Sequence, residues 1–221
     1  MQLIFWFREK NYSIRSFCAL LPMILFNSLF AQNTVSMEGE YNLRGVMETA
    51  SGFKLNTDST FQFYFSYGAL DRYGSGTWKK VDSTIIFDSR PQPGKDFALI
   101  KCEKVSDKFL TIRMMDNNKI LLRYVDVLFM KGNITIEESA NDAGIIQIPY
   151  QPFDSLALIF TLCPDRYSTF PISNKELNYM EFRFEPWIPE VFFRNFILKL
   201  ESNSLKGKHP LLKGDSFAYE K

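Results

Sequence analysis

Aromatic, acidic and basic side chains are concentrated between Tyr67 and Trp78, in the sequence YGALDRYGSGTW. Tyrosine and tryptophan carry a polar group on an apolar ring, which suits the wet end of a β-barrel. Asp71 and Arg72 are adjacent, so on extended backbone they point to opposite sides. The candidate ligand- or partner-binding residues are Tyr67, Asp71, Arg72, Tyr73 and Trp78. The alternative is a structural corner in which Arg72 donates to backbone carbonyls and Trp78 fills the core.

A second Asp-Arg-Tyr triplet, Asp165-Arg166-Tyr167, is a weaker candidate. It follows the apolar segment Ser155–Leu162, which is typical of a buried strand. The residues flanking the two triplets do not match, so we interpret their likeness as coincidence. Trp187 lies between Pro186 and Pro189 in a strand-breaking corner, where we expect it to pack between domains.

The single histidine, His209, limits the catalytic possibilities. Its surroundings, Gly207-Lys208-His209-Pro210, are typical of a loop, so we expect a solvated side chain or a local hydrogen-bond partner. A Ser-His-Asp triad would need this histidine, and no serine lies in a Gly-x-Ser-x-Gly elbow. Zinc sites need several converging histidine, cysteine or carboxylate ligands. We therefore predict no catalytic residue, no metal site and no cofactor.

Paired carboxylates are the remaining enzymatic option. Asp71 with Glu40 or Glu48 would form a glycosidase-like pair if the fold brought them together. Acidic residues are common in β loops, so we expect these side chains to have no catalytic role.

The first 31 residues have the pattern of a secretory signal peptide. Arg8, Lys10 and Arg15 precede an apolar run, Phe17–Ala31, that ends at a small residue. This run of 15 residues is shorter than the roughly 20 that span a bilayer, although an uncleaved anchor is the alternative. We predict export to a periplasmic, outer-membrane-associated or extracellular location, with no membrane span after cleavage.

The mature chain is nearly neutral. Of 26 basic and 25 acidic residues, 23 basic and 24 acidic residues lie after residue 31. Nucleic-acid-binding domains usually carry a basic stripe, so we expect no nucleic-acid partner. Cys102 and Cys163 both lie in apolar runs, which favours buried free thiols, with a disulfide as the alternative.

Hydrophobic alternation predicts an all-β fold. Phe61, Phe63 and Phe65 alternate with polar or outward positions, at the period of a half-buried strand. Short turn segments recur along the chain, and we expect a strand over Ile120–Val127. No flexible linker separates the halves, so we predict two packed antiparallel β domains, residues 32–125 and 126–221. A single larger sandwich is the alternative.

Two short motifs resemble known β families. Gly39-Glu40-Tyr41 and Gly76-Thr77-Trp78 make residues 32–125 similar to secreted bacterial lipocalin-like domains, with Tyr41 in place of the lipocalin tryptophan. The turn Asp142-Ala143-Gly144 before an aromatic strand makes residues 126–221 similar to carboxypeptidase regulatory-like (transthyretin-type) sandwiches. The resemblance implies a barrel followed by a sandwich and no particular activity.

These observations favour an exported, non-catalytic binding or interaction protein. Its partner would be a small apolar ligand inside a hollow first domain, or another envelope protein. A barrel filled by Phe61, Phe63, Phe65 and Trp78 would exclude the interior ligand. The alternatives are an accessory module of a cell-surface or secretion assembly, which exposed edge strands would favour, and an envelope-polymer hydrolase.

Overall fold

The computed structural model describes residues 36–68 and 70–221, and this part of the chain is all-β, as predicted. The predicted signal peptide lies outside the described residues. Within them, no helix is long and apolar enough to cross a membrane. The strands are β1 (Gly39–Arg44), β2 (Thr49–Leu55), β3 (Thr60–Tyr67), β4 (Leu70–Val81), β5 (Thr84–Asp88), β6 (Phe97–Glu103), β7 (Phe109–Met115), β8 (Val125–Lys131), β9 (Ile134–Ser139), β10 (Ile145–Pro149), β11 (Ser155–Phe160), β12 (Tyr167–Pro171), β13 (Tyr179–Phe184), β14 (Phe196–Glu201), β15 (Ser204–Gly207) and β16 (Phe217–Glu220).

Eight strands form a closed antiparallel barrel in the order β1-β16-β15-β14-β5-β4-β3-β2. Strand β1 closes it, since Asn42 is paired with Gly52 on one side and with Glu220 on the other. Closure leaves no free strand edge in this sheet.

The other eight strands form two four-stranded sheets, in the orders β10-β7-β13-β6 and β12-β11-β8-β9. Both sheets contribute to one apolar core, with Ile112 and Phe182 from the first and Phe129 and Leu158 from the second. All four side chains are fully excluded from solvent. These strands lie in sequence between β5 and β14, so the two sheets are inserted into the barrel sequence.

Strand pairing therefore divides the chain differently from the expected boundary at residue 125. The barrel uses residues 39–88 and 196–220, and the inserted sheets use residues 97–184. Turn signals identify neighbours in sequence, whereas the β1–β16 pair joins the two ends of the described chain. Side-chain alternation indicates which face of a strand is buried, but it does not identify the strand with which it pairs.

The predicted strand over Ile120–Val127 is wrong in its first half. Lys119–Arg123 form a 3-10 helix, and β8 begins only at Val125. Asn118 caps this helix, because its side-chain oxygen accepts the Ile120 N–H at 3.2 Å. Leu122 of this helix is buried in the apolar core that the two inserted sheets share.

Aromatic rings occupy the barrel interior. Phe53 lies at their centre, with its ring centroid 4.6 Å from Phe87, 5.0 Å from Phe63 and 5.1 Å from Tyr219. Phe193, from the segment between β13 and β14, inserts among them 5.2 Å from Phe63. The protein's own side chains thus take up the space that a hollow barrel would offer to a ligand. The four residues whose burial would exclude an interior ligand are all buried: Phe61, Phe63, Phe65 and Trp78.

Two glycines of β4 allow this close packing. A β-carbon on Gly74 would lie 2.7 Å from the Phe193 ring, and one on Gly76 would lie 2.1 Å from the Asp88 carbonyl oxygen. Both contacts are too short for a side chain, so glycine is required at each position. The two described cysteines are free, with Cys163 buried and Cys102 half-buried.

Candidate functional site

Strand β4 separates the predicted site residues onto different faces. Asp71 and Tyr73 point outward and are exposed, whereas Arg72 between them points inward and is only 3% exposed. Tyr67, at the end of β3, is half-exposed at the rim of the barrel. Trp78 lies six residues beyond Arg72 and is buried, with its indole N–H donating to the Asn56 carbonyl at 3.2 Å. The five candidates therefore do not converge on one surface.

Arg72 joins the barrel to the inserted sheets. Its Nη1 donates to Asp165 Oδ1 at 2.5 Å and its Nη2 to Asp165 Oδ2 at 3.2 Å. Its Nε donates to the Pro189 carbonyl at 3.4 Å. This geometry is the bidentate fork that makes arginine–carboxylate pairs strong. Arg72 thus has the contacts of a structural corner, and its guanidinium is not available to a ligand.

The second Asp-Arg-Tyr triplet lies at the same junction. Arg166 donates to both carboxylate oxygens of Asp96, at 2.9 and 3.1 Å, and to the carbonyls of Glu190 and Ile188 at 2.6 and 2.9 Å. Burial raises the pKa of Asp96, and the Arg166 hydrogen bonds oppose that rise. The first triplet therefore binds the second through Arg72 and Asp165. Sequence reasoning missed this contact because nothing local links residues 93 positions apart.

The segment before β14 is held by a further set of contacts. Arg90 Nη2 donates to Glu190 Oε2 at 2.5 Å. The Phe192 ring contacts two guanidinium groups, with Arg90 Cζ 5.4 Å and Arg166 Cζ 5.2 Å from its centroid. Such cation–π contacts contribute more where water is partly excluded. These contacts hold the segment in place, and Phe193 extends from it into the barrel.

His209 is buried, and both of its ring nitrogens form hydrogen bonds. The side chain is therefore a local hydrogen-bond partner, as one of the two expectations had it, and it is not solvated. Its Nδ1 accepts the N–H groups of Leu211 and Leu212 at 2.9 and 3.0 Å. The proton of the neutral ring is thus on Nε2, which donates to Ser51 Oγ at 3.1 Å. Ser51 in turn donates to the Tyr64 carbonyl at 2.8 Å. Because the nitrogen facing Ser51 already carries a proton, this pair lacks the base that a serine nucleophile needs.

Stability should fall in mild acid because of His209. Burial lowers its pKa from 6.5 to about 4. Above pH 6.5 the ring is neutral in both states; between pH 6.5 and 4 only the unfolded chain takes up the proton, so stability is lost as the pH falls. Urea unfolding at pH 7 and pH 5 should show a loss of about 2 kcal/mol from this group. The His209→Gln variant should lack this component, and equal pH dependence in both proteins would contradict the assignment.

A groove of about 490 Å³ opens where the barrel end meets the inserted sheets. Its apolar lining comes from Val191, Phe192, Phe193, Phe196, Pro210 and Leu211. Its charged lining comes from Asp165, Arg166, Arg194 and Lys208. A second cavity of about 210 Å³ lies beside it, lined by Tyr67 and Arg72 and sharing Asp165 and Leu211 with the groove. Only Tyr67 and Arg72 among the predicted site residues line either cavity.

Arg194 differs from the other charged residues of the groove. Asp165 is paired with Arg72, Arg166 with Asp96, and Lys208 with the exposed Asp215 at 3.2 Å. The Arg194 side chain makes no hydrogen bond or ion pair with any residue that the structure describes. Composition alone could not have singled it out, since Arg194 is one of 26 basic residues.

Within residues 36–68 and 70–221, no three histidine, cysteine or carboxylate side chains are grouped in a way that could hold a metal ion. The described residues form an eight-stranded antiparallel barrel with two inserted four-stranded sheets. Comparison with protein-family models, with curated proteins and with solved structures found no match.

Proposed function

We propose that this protein is an exported, non-catalytic binding protein whose ligand site is the groove at the barrel end. The observation that carries the proposal is the volume of the groove, about 490 Å³, within the 300–1,000 Å³ typical of small-molecule sites. Its floor combines the apolar side chains of Phe193, Phe196 and Leu211 with a few charged groups at the rim. Such a lining suits a mostly apolar ligand.

The barrel supports the proposed resemblance to lipocalin-like domains, although the location of the site differs. In a hollow barrel the ligand lies inside, whereas here Phe53 and Phe193 fill that space. We therefore propose that the ligand binds outside the barrel interior, between the barrel end and the inserted sheets. Export rests on the basic and apolar segments of residues 1–31, and the location would be periplasmic, outer-membrane-associated or extracellular.

An accessory module of a surface or secretion assembly is the second candidate. Strand β9 is an unpaired edge of its sheet, and Ile134 on it is 62% exposed. On the other inserted sheet, edge strand β6 exposes Leu99 and Ile100. Edge strands with exposed apolar residues are places where another chain can add a strand.

The proposal predicts saturable binding of a neutral apolar probe. N-phenyl-1-naphthylamine should bind in the groove with an increase in fluorescence. Leu211→Trp should weaken this binding by about tenfold or more, equivalent to about 1.4 kcal/mol, because the larger ring fills the space that both cavities share. Ile197→Trp is the matched control, since Ile197 lies on the outer face of β14 away from the groove.

Circular dichroism and thermal unfolding would check that both tryptophan variants are folded. Absence of saturable binding to the wild type, or equal binding by the Leu211→Trp and Ile197→Trp variants, would overturn the groove as the ligand site. Either result would leave the edge-strand candidate.

A further inference from the structure

We infer that the occupant of the groove is an amphipathic organic anion, with an apolar body on the phenylalanine floor and one anionic head group on Arg194. This inference rests on the proposed function and adds the chemical class of the ligand. A carboxylate and a phosphate monoester share the required chemistry, an oxyanion attached to an apolar chain.

The charges that line the groove favour an anionic ligand. Its lining contains three cations and one anion, so it has a positive excess. Asp165 cannot offset Arg194, because both of its carboxylate oxygens accept from Arg72. Arg166 is likewise occupied by Asp96 and by backbone carbonyls. The positive charge left for a ligand is therefore on Arg194, since Lys208 at the same groove is paired with Asp215.

The backbone around Arg194 is held in place. Asn195 has a positive φ of 47°, and its N–H donates to Asp88 Oδ1 at 2.7 Å. On the other side, the Phe193 carbonyl accepts the Ser89 N–H at 2.8 Å. Arg194 thus extends from a fixed turn directly beside Phe193, which is part of the groove floor. An arginine fork in this position can donate two parallel hydrogen bonds to an oxyanion.

His209 does not compete for the head group. Both of its ring nitrogens are used, Nδ1 by the Leu211 and Leu212 N–H groups and Nε2 by Ser51. Its ring stays neutral at pH 7, since its pKa is lowered to about 4. His209 thus adds no positive charge to the lining, and a head group on Arg194 would lie apart from an apolar body on Phe193 and Phe196.

Two probes with the same aromatic scaffold test the inference. N-phenyl-1-naphthylamine is neutral, and 8-anilino-1-naphthalenesulfonate is the same scaffold with one anionic group. We expect Arg194→Gln to weaken binding of the sulfonate about tenfold, while binding of the neutral probe changes less than twofold. Lys79→Gln, which removes one exposed positive charge from β4 outside the groove, should leave both affinities unchanged. Arg194→Lys should restore part of the sulfonate affinity, because it keeps the charge and loses the fork.

Competition against the neutral probe would identify the head group. Decanoate and decyl phosphate should displace it at lower concentrations than decanol or decyltrimethylammonium, and Arg194→Gln should abolish the difference. The more effective anion indicates a carboxylate or a phosphate as the natural head group. Equal displacement by all four compounds would overturn the inference.

The outcomes separate the two proposals. If Leu211→Trp weakens both probes and Arg194→Gln weakens neither, the groove binds ligands without selecting an anion, and only this inference fails. If neither probe binds the wild type, the proposed function fails with it.

Discussion

Replacing Phe53 by alanine should lower the free energy of unfolding by about 4 kcal/mol, within the range of 3–5 kcal/mol for buried phenylalanine. Phe53 is completely buried, and its ring contacts both Phe87 on β5 and Tyr219 on β16, at 4.6 and 5.1 Å. Truncation would leave a cavity bordered by barrel strands that are far apart in sequence, β5 and β16. These strands are hydrogen-bonded to their neighbours and cannot collapse inward to refill the space.

Urea unfolding at pH 7, followed by tryptophan fluorescence and by circular dichroism, measures this effect. Phe53→Leu should lose less than half as much, which keeps the experiment informative if the alanine variant is largely unfolded. Phe109→Ala is the control for loss of a phenyl ring at an exposed site, because Phe109 is 41% exposed. A loss below about 1.5 kcal/mol for Phe53→Ala would contradict a close-packed interior.

Removing Asp165 should also strongly destabilise the folded protein. The Arg72 guanidinium is almost completely buried, with 2% of its side chain exposed, whereas 38% of the Asp165 side chain is exposed. Asp165→Ala leaves a buried cation without its counter-ion, at a cost of about 3 kcal/mol. Arg72→Met should cost less, about 1–2 kcal/mol, because the remaining carboxylate can be hydrated and the methionine fits an apolar surrounding.

A double-mutant cycle tests this asymmetry. The Arg72→Met/Asp165→Ala protein should be more stable than the Asp165→Ala single variant, since no buried charge is then left without its partner. Asp154→Asn is the control, because the Asp154–Lys175 pair is about half-exposed on both sides and should contribute little to stability. Equal losses for Asp165→Ala and Asp154→Asn would show that the Arg72 pair does not hold the barrel to the inserted sheets.

The local sequence predicted which side chains are buried, but it did not predict which distant residues they contact. Phe61, Phe63 and Phe65 alternate along one strand, and all three are buried in the barrel as expected. Alternation also places Arg72 inward and Tyr73 outward, so their separation was implied by the same pattern. The pattern does not identify the partner of Arg72, because Asp165 is 93 positions away and is brought to Arg72 by the fold of the inserted sheets.

The groove illustrates the same difference. Phe193 and Arg194 are consecutive residues in a segment without alternation, and no motif marks them. Their roles depend on Asp88 and Ser89, about a hundred positions earlier, which fix the turn that directs one side chain into the barrel and the other to the rim. His209 likewise has the local composition of a loop, and its burial follows from contacts with β2 and β16.

By itself, the YGALDRYGSGTW segment indicated that neighbouring side chains would point to opposite sides and that the backbone would approach closely at Gly76, whereas the tertiary structure decided that the segment from Leu70 onward is one continuous strand, β4. These features depend on side-chain direction and backbone sterics, which act within a few residues. The closure of the barrel, the Arg72–Asp165 pair and the groove depend on contacts between residues far apart in sequence. Such contacts arise only when apolar burial brings distant segments of the chain together, and the groove that we propose as the binding site lies at the barrel end rather than in the predicted segment.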